Sequence, residues 1–459
     1  MKASLTLVAA AALLAACAGP EPKRPTAPEA ALAALPATAF PYASGAGTAP
    51  AELPWAQAFQ GARLQQLIPL ALANNRDLRV AAANIESARA TAAARDADLW
   101  PTVNAGLTGS RVPNASGGIT SNYQAGLQVS AYEVDLFGRL RNLGSAAQAQ
   151  LLAAEANQLA VRNALIAAIA TTEIALQADE ALLRITRDTL ASREQSLSLI
   201  RQRFEGGITG ELDLRAGESA LQAARVALAQ TQRQRALDEN ALVLLLGSGL
   251  PSGLPAPTGL LADFEPLAEL PAGLPSEVLT RRPDIRQAEA QLAAADANIG
   301  AARAAFFPRI TLTGSLGTAS SQLDGLFKNT AWSFAPSLIQ PLFDAGRNRA
   351  NLAGARAARD AATAQYEKAV QSAFRDVADA LAGRTTLAEQ RSAQSALVDA
   401  EARRLALAEE RYRAGISSSL DVLDAQRSLF TAQQALVQVQ SLRAQNLVAV
   451  YRVLGGGGS

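Results

Sequence analysis

Two patterns of hydrophobic and polar positions alternate along the chain. Charged stretches with apolar residues three and four positions apart predict helices, whereas charge-free stretches with apolar residues at every second position predict strands. Proline is absent from residues 114–250 and from 342 to the end, so both regions can hold long unbroken helices. We predict two long helices at 139–204 and 347–412, and shorter helices at 64–99, 213–246 and 421–454. A fourth short helix, the counterpart of 64–99 in repeat 2, is predicted to start near Ser276. Each long helix would measure about 99 Å, which nearly equals two shorter helices stacked end to end.

The strand pattern occurs in two places, each between a short helix and a long one. Residues 112–132, 310–323 and 329–343 contain no charged side chain. We predict one strand pair within 102–135 and a second pair within 309–343. Each strand is about as long as the 9–11 residues that cross a bilayer as a tilted strand. A single alternating segment is more typical of a half-buried soluble hairpin, but four such segments in one chain favour a membrane sheet.

Four strands are too few to close a barrel on their own. An open sheet edge in hydrocarbon leaves unpaired backbone groups, each at a cost of several kcal/mol. Copies of the chain must therefore share one barrel if the sheet lies in a membrane. Eight strands from a dimer would be filled by side chains, whereas twelve strands from a trimer begin to leave a lumen.

The chain is a tandem duplication. A shift of 208 residues aligns Arg-Phe-Glu-Gly-Gly-Ile at 203–208 with Arg-Tyr-Arg-Ala-Gly-Ile at 411–416. Further matches in the same order extend this correspondence through the predicted helices and strand pairs. We therefore divide the chain into repeat 1 at 62–247, a linker at 248–275 that holds six prolines, and repeat 2 at 276–454.

The N-terminus has the features of a bacterial export signal. Residues 1–16 contain an apolar run that is too short to span a bilayer, so we predict a signal peptide. The sequence Leu-Ala-Ala-Cys ending at Cys17 resembles a bacterial lipobox, which implies cleavage before Cys17 and its lipidation; an ordinary secretory peptide is the alternative. Alanine rather than aspartate at position 18 favours the outer membrane, by resemblance to lipoprotein sorting. We predict a lipidated extended arm at 17–61 and a flexible tail at 455–459.

The composition argues against several classes of site. The 459 residues include no histidine and one cysteine, which removes histidine-based catalysis, histidine metal ligation and intramolecular disulfides. The 42 basic and 41 acidic residues give a net charge of +1, so nothing indicates nucleic-acid binding. Aromatic residues make up 5%, which favours long helices packed through small side chains. We expect no catalytic residues, no metal and no cofactor other than the covalent lipid on Cys17.

These features together resemble the outer membrane factor family, the TolC-like exit ducts of tripartite efflux systems, and in particular its lipoprotein branch (NodT/OprM-like). The resemblance rests on Leu-Phe-Gly-Arg at 136–139, Pro-Leu-Phe-Asp-Ala-Gly-Arg at 341–347, and the segment 411–426, which contains Leu-Asp-Val-Leu-Asp-Ala-Gln. It implies a mainly α fold with a transmembrane β part: a homotrimeric twelve-strand β-barrel continued by a twelve-helix coiled-coil α-barrel. It also implies three partners, which are a periplasmic adaptor (membrane fusion protein), an inner-membrane pump of the resistance-nodulation-division type, and outer-membrane lipid.

The resemblance assigns roles to residues at the far ends of the long helices. It implies adaptor docking at Gly207, Ile208, Gly415 and Ile416, and a periplasmic gate at Leu420, Asp424, Asp421 and Asp213. Asp213 and Asp421 also stand where a carboxylate stabilises a helix N-terminus, and we favour that role for both. Asp424 has Ala216 as its counterpart in repeat 1. We expect copies of Asp424 to repel one another in a closed tip unless protonated or paired, and so to ease opening.

The function that we infer is passive conduction of drugs or other small toxic compounds through the bacterial outer membrane, without catalysis. Type I protein secretion and heavy-metal efflux are alternatives within the same class. Met1 is the sole methionine and histidine is absent, so the chain offers no soft-ligand path for copper or silver. A trimeric adhesin or structural coiled-coil lipoprotein is the alternative of a different class, but it would not need duplicated strand pairs with one polar face.

Overall fold

The structure is a computed structural model that describes residues 54–59, 61–113, 115, 117–259, 282–453 and 456. The predicted signal peptide, Cys17, most of the predicted arm, much of the linker and most of the tail lie outside the described residues. Those assignments therefore stay predictions.

The described end of the predicted arm is a helical turn rather than extended chain. Residues Trp55–Ala58 form α1, which follows Pro54. The ring of Phe59, immediately after this turn, packs edge-on against the ring of Tyr451 with 4.9 Å between centroids. Both rings are buried, so this contact places the end of the arm in the helical core.

Eight helices can be followed in the described residues. They are α1, α2 (Ala62–Asn74), α3 (Arg76–Ala97), α4 (Arg139–Glu205), α5 (Glu211–Leu246), α6 (Pro283–Ala304), α7 (Arg347–Arg413) and α8 (Ser419–Val453). The two long helices, α4 and α7, have 67 residues each and begin at the arginines where the sequence places them.

The single helix predicted at 64–99 is wrong, because the chain breaks at Asn75. The backbone of Asn75 is non-helical, with ψ at 135°. Its side-chain Oδ1 accepts a hydrogen bond from the backbone N–H of Leu78 at 3.0 Å, which is the arrangement of a helix N-cap. Asn75 thus ends α2 and starts α3.

The chain divides into two compact units. The first unit contains residues 83–156 and 286–369, and the second contains the described parts of 35–82, 157–285 and 370–459. The first unit is built on a four-stranded antiparallel sheet in the order β1-β2-β3-β4. Its strands are β1 (Val103–Pro113), β2 (Ile119–Val134), β3 (Arg309–Ser320) and β4 (Thr330–Ile339).

The sheet has one apolar face and one polar face, as the alternating pattern predicts. Leu127 of β2 pairs with Leu316 of β3, which pairs with Trp332 of β4. These three side chains are 52%, 61% and 76% exposed within the chain. On the opposite face the hydroxyl groups of Ser315 and Ser333 are hydrogen-bonded at 2.7 Å. A sheet that exposes large apolar side chains on one face is suited to contact with lipid.

Glycines allow β2 and β3 to approach closely in the middle of the sheet. Gly126 of β2 pairs with Gly106 of β1 on one side and with Gly317 of β3 on the other. A Cβ atom on Gly126 would lie 2.4 Å from the carbonyl oxygen of Leu316, and one on Gly317 would lie 2.1 Å from that of Ala125. No side chain fits at either position without a backbone shift.

Aspartates cap both long helices where they leave the sheet. Asp135 accepts hydrogen bonds from the backbone N–H groups of Leu140 and Arg141 at 3.1 and 2.9 Å. Asp344 likewise accepts from Gly346 and Asn348, both at 2.9 Å. The Leu-Phe and Gly-Arg segments that mark the two repeats are therefore parts of equivalent capped junctions.

The second unit is a helical core built mainly from aliphatic and alanine side chains. Leu67 and Ile68 of α2 pack with Ile166 and Ile169 of α4 and with Leu242 of α5, and each is fully buried. Helix α4 is long and apolar enough to cross a bilayer by length and composition, but half of its most apolar window is buried. We therefore interpret α4 as a core helix.

The linker after α5 is fixed to α4 by a buried polar network. Glu173 of α4 is fully buried and accepts hydrogen bonds from Arg63 Nε at 2.6 Å and from Gln177 Nε2 at 2.8 Å. The Oε1 atom of Gln177 accepts from the backbone N–H groups of Thr258 and Gly259, both at 2.9 Å. The arginine neutralises the charge of the buried Glu173 carboxylate, and both donors hydrogen-bond to its oxygen.

The end of α5 adjoins the break between α2 and α3. Asn75 Nδ2 donates a hydrogen bond to the carbonyl of Leu245 at 2.9 Å. Gly247 terminates α5 with φ at +65°, and a Cβ there would lie 2.5 Å from the carbonyl oxygen of Asn74. Glycine is required at this C-cap by conformation and by space.

Candidate functional site at the helical tips

The two tips of the second unit are the turns that join α4 to α5 and α7 to α8. In the first, Gly207 N–H donates to the carbonyl of Phe204 at 2.9 Å and Ile208 N–H to that of Arg203 at 2.8 Å. This pair of bonds, with φ of Gly207 at +71°, defines a Schellman motif. The glycine ends the helix and the isoleucine after it is fixed in position.

The second tip repeats this geometry. Gly415 N–H donates to the carbonyl of Tyr412 at 3.0 Å, and Ile416 N–H donates to that of Arg411 at 2.9 Å. The φ angle of Gly415 is +76°. The sequence repeat therefore corresponds to two structurally equivalent turns, each of which presents an isoleucine.

Both tips expose apolar side chains in matching pairs. Ile208 and Leu212 are 75% and 85% exposed, and their counterparts Ile416 and Leu420 are 68% and 65% exposed. Leu212 is a residue that the sequence reasoning missed, although the 208-residue shift that relates it to Leu420 is visible in the sequence. Four exposed aliphatic side chains, two on the turns and two in the helices that follow them, form a surface suited to contact with another protein.

Asp213 connects the two tips. Its carboxylate accepts a hydrogen bond from the Ser419 hydroxyl at 2.7 Å and another from the Thr209 hydroxyl. These bonds lower the pKa of Asp213 below its ordinary value, with the larger effect from Thr209. Ser419 is buried at the start of α8, whereas Asp213 lies in the first turn of α5. Asp213 thus has a contact between the repeats in addition to its favourable position near a helix N-terminus.

Asp421 makes contacts only at the start of its own helix among those described. It accepts hydrogen bonds from the backbone N–H and the hydroxyl of Ser418, each at 3.0 Å. This geometry is that of a local cap, the role favoured from the sequence. The structure therefore distinguishes Asp421 from Asp213, which the sequence treats as equivalent.

Asp424 is paired with two arginines. The expected repulsion between copies of an unpaired Asp424 carboxylate therefore does not apply to this tip. Its carboxylate lies 2.5 Å from Arg404 Nη2 of α7 and 2.5 Å from Arg427 Nη2 of α8. The hydrogen bond from Arg404 is the main cause of a lowered pKa at Asp424. Arg404 also contacts Glu401 at 3.1 Å. Neither arginine was predicted as a partner of Asp424, because the sequence does not show which residues of α7 lie opposite which residues of α8.

Comparisons with known proteins show the class to which the chain belongs. The sequence matches the outer membrane efflux protein family over residues 67–248 and 274–456. The chain belongs to this family.

Relatives and solved structures extend over nearly the whole chain. The toluene efflux pump outer membrane protein TtgC of Pseudomonas putida is 45% identical over an alignment of 466 positions, which covers 99% of this chain and 96% of TtgC. The outer membrane protein OprJ of Pseudomonas aeruginosa is 43% identical and covers 90% of this chain and 88% of its own. The open-state MtrE outer membrane channel of Neisseria gonorrhoeae has a TM-score of 0.82 at 41% identity, over 91% of this chain and 95% of that one.

These similarities confirm three predictions made from the sequence. The chain belongs to the predicted family, and its fold is the mainly α fold with a transmembrane β part that outer membrane channels share. The protein is an outer-membrane efflux duct.

Proposed function

We propose that three copies of this chain form one duct that passively conducts small organic compounds, without any catalytic step. The observation that carries this proposal is the four-stranded sheet, which has an exposed apolar face and too few strands to close alone. Twelve strands from three copies would make a barrel wide enough to leave a lumen. The energy for transport then has to come from a partner, since a duct by itself only permits passage.

The partners in this proposal are a periplasmic adaptor and an inner-membrane pump of the resistance-nodulation-division type. The adaptor docks at the two tips, at Gly207, Ile208, Gly415 and Ile416. Support comes from the exposed isoleucines, which the Schellman turns fix in equivalent positions. Leu420 and Asp424, with Asp421 and Asp213 beside them, form the periplasmic gate.

Lipid on Cys17 anchors the arm to the outer membrane in this proposal, and no other cofactor is needed. Two or more acyl chains give stable anchoring, at about 0.8 kcal/mol per buried methylene. Organic compounds are the proposed cargo because a relative is named for toluene efflux and because the chain has no histidine to carry soft metals.

Deletion of the gene in a strain that keeps its pump and adaptor tests the proposed cargo. We expect sensitivity to toluene, dyes and antibiotics, reversed when the intact gene is restored. Loss of a secreted protein with unchanged compound sensitivity would instead indicate type I secretion, and sensitivity to copper or silver alone would indicate metal efflux.

Cross-linking tests the docking surface separately. Cysteine at Ile208 or Ile416, labelled with a maleimide photo-cross-linker in cells, is expected to capture the adaptor. Cysteine at Arg233, which is exposed on α5 away from the tips, serves as the matched control. Equal capture from Arg233 and from the tip positions would refute docking at the tips.

A further inference from the structure

Charged side chains occupy only three positions in the four strands of the sheet. They are Arg111 in β1, Glu133 in β2 and Arg309 in β3, while β4 has none. Arg309 is six positions before Ser315 and so stands on the same, polar face of β3. Glu133 contacts Arg309 from the neighbouring strand and therefore lies on that face as well. A lumen lined by the polar face of the strands would meet these two charges.

The Glu133 carboxylate is shared by two arginines at the end of the sheet from which α4 starts. Arg139, the first residue of α4, donates to Oε1 from Nε and to Oε2 from Nη2, both at 2.8 Å. The Nε atom of Arg309 lies 2.5 Å from Oε2 of the same carboxylate. One negative charge beside two positive charges leaves an excess of one positive charge in this cluster.

The excess charge is not balanced by the other carboxylates close to Arg139. Asp98 and Asp135 both act electrostatically on Arg139, but each has an arginine of its own. Arg95 lies 3.3 Å from Asp98, and Arg141 lies 3.3 Å from Asp135. Because these two pairs are neutral, the cluster keeps its positive charge.

Arg309 is the exposed member of the cluster. The side chains of Glu133 and Arg139 are 10% and 32% exposed, whereas that of Arg309 is 58% exposed. No other charged residue than Glu133 and Arg309 stands on this face of the four strands. An exposed guanidinium on an otherwise uncharged wall raises the local concentration of anions and lowers that of cations.

Repeat 1 has no charge at the equivalent positions. The shift of 207 residues that aligns Pro101 with Pro308 carries Arg309 onto Thr102 and Glu133 onto Gln340. The excess charge therefore comes from repeat 2 alone. A trimer would hold three such charges, one from each copy.

The trimer proposed above would place these charges near its axis. Twelve strands about 4.8 Å apart and tilted by about 40° form a barrel about 24 Å across between backbones. An arginine side chain extends roughly 6 Å from the backbone, so each guanidinium would lie about 6 Å from the axis. This distance is within the Debye length of about 10 Å at 0.1 M salt. The three charges would therefore act on every ion that passes.

We propose that Arg309 is a specificity-determining residue of the duct, whose three copies form a positive ring in the barrel lumen that favours small organic and inorganic anions over cations. Glu133, which Arg139 holds from the other side, positions the guanidinium of Arg309. The inference rests on the shared barrel of the proposed function and adds to it the charge class of solute that passes most readily.

Reversal potentials of the purified full chain in planar bilayers test the proposal. With a KCl gradient near 0.1 M, Arg309→Gln is expected to lower the ratio of chloride to potassium permeability about twofold or more. Arg309→Lys keeps the charge and is expected to keep the ratio close to that of the unchanged chain. At about 1 M salt the Debye length falls to about 3 Å, so the effect of Arg309→Gln is expected to shrink.

Arg111→Gln is the matched control. It removes the same charge from the same sheet, but Arg111 is six positions after Ala105, which pairs with Leu127 of the apolar face. We expect this variant to have the permeability ratio of the unchanged chain. The tip residues are the same in all of these variants, so the tip contributes equally to each measurement.

Ser337→Asp tests the same charge without altering Arg309, and it carries the comparison if Arg309→Gln fails to fold. Ser337 is exposed and pairs with Thr311, two positions after Arg309 on the polar face. The added carboxylate offsets the excess positive charge, so the permeability ratio is expected to fall as in Arg309→Gln.

Two results would overturn the proposal and leave the duct intact. The first is an equal permeability ratio in the unchanged chain, Arg309→Gln and Ser337→Asp. The second is a fall in Arg111→Gln as large as in Arg309→Gln, which would mean that the charge acts from outside the lumen. An unchanged chain that opens no channel would instead contradict the duct itself.

Discussion

The hydroxyl of Ser419 donates a hydrogen bond of 2.7 Å to the carboxylate of Asp213, which lies 206 positions earlier in the chain. Ser419 begins α8 and Asp213 lies in the first turn of α5, so the bond joins equivalent helices of the two repeats. A tip that widens by separating these helices has to break it. We therefore expect the bond to restrain the tip against widening.

Loss of this restraint is expected to favour an open tip. Asp213→Ala removes the acceptor for both Ser419 and Thr209, at a cost of about 1 kcal/mol for a partly exposed charged hydrogen bond. We predict a higher average conductance in planar bilayers. Glu211→Ala is the control, because Glu211 lies in the same first turn of α5 and bonds only to Arg215 of its own helix among the described contacts. Equal conductance of the two variants would show that the Ser419 contact restrains nothing.

Asp424 is expected to affect ion flow more than stability. Asp424→Ala leaves Arg404 and Arg427 without their shared carboxylate, so the tip becomes more positive. Because Asp424 and its arginine partners are exposed, we expect little loss of stability. We predict a shift toward anion selectivity in bilayer recordings, with a nearly unchanged melting temperature. Unchanged conductance, selectivity and drug export together would remove Asp424 from the gate.

A buried carboxyl group gives the helical unit a pH-dependent stability. Burial, followed by a hydrogen bond with Asp238 of α5, raises the pKa of Asp179 of α4 to about 7. Arg235 of α5 opposes this effect and Glu180 of α4 reinforces it. We therefore expect Asp179 to hold a proton in the folded state below about pH 7.

The sign of the pH effect follows from proton binding. Between about pH 4 and pH 7 the folded chain holds a proton that the unfolded chain has released, so stability falls as the pH rises through this range. Asp179→Asn removes the effect, and we predict that its melting temperature exceeds that of the unchanged chain most at pH 8 and least at pH 4. Asp188→Asn, on the exposed face of α4, is the control. A constant difference across this range would contradict the proton on Asp179.

The middle of the sheet is predicted to reject any side chain at two glycines. Gly126→Ala and Gly317→Ala each place a Cβ within 2.4 Å of a backbone oxygen of the neighbouring strand. Gly314→Ala is the matched control in β3, since its Cβ would lie 3.4 Å from the nearest backbone atom. We expect folded protein in the outer-membrane fraction to fall severely for the first two variants and little for the control. Normal levels of all three would mean that the strands can move apart at no cost.

The positions of the long helices could be predicted from the sequence because their signals are local. Proline-free stretches, together with the Gly-Arg pair that both repeats share at Arg139 and Arg347, indicate where each helix begins. The break at Asn75 was missed because asparagine is only a weak helix breaker, and its cap becomes visible when Leu78 N–H is seen to bond to it. Local sequence does not distinguish such a cap from an asparagine on a helix surface.

The candidate site was predicted in position but not in its contacts. The glycines and isoleucines of both tips follow from the repeat, since the same backbone geometry needs the same residue types. The partners of Asp424 and Asp213 could not be predicted, because Arg404 and Ser419 come from other helices whose register depends on packing. Contacts between helices are set by the assembled core and not by spacing along the chain.

We propose that copies of the chain pool their strands to form one duct. Native mass spectrometry of the purified protein, released from detergent in the gas phase, measures this directly. We predict a complex of three times the mass of the mature lipidated chain as the dominant species. A dominant single-chain mass, from protein that still carries the folded sheet, would contradict the shared barrel and with it the duct.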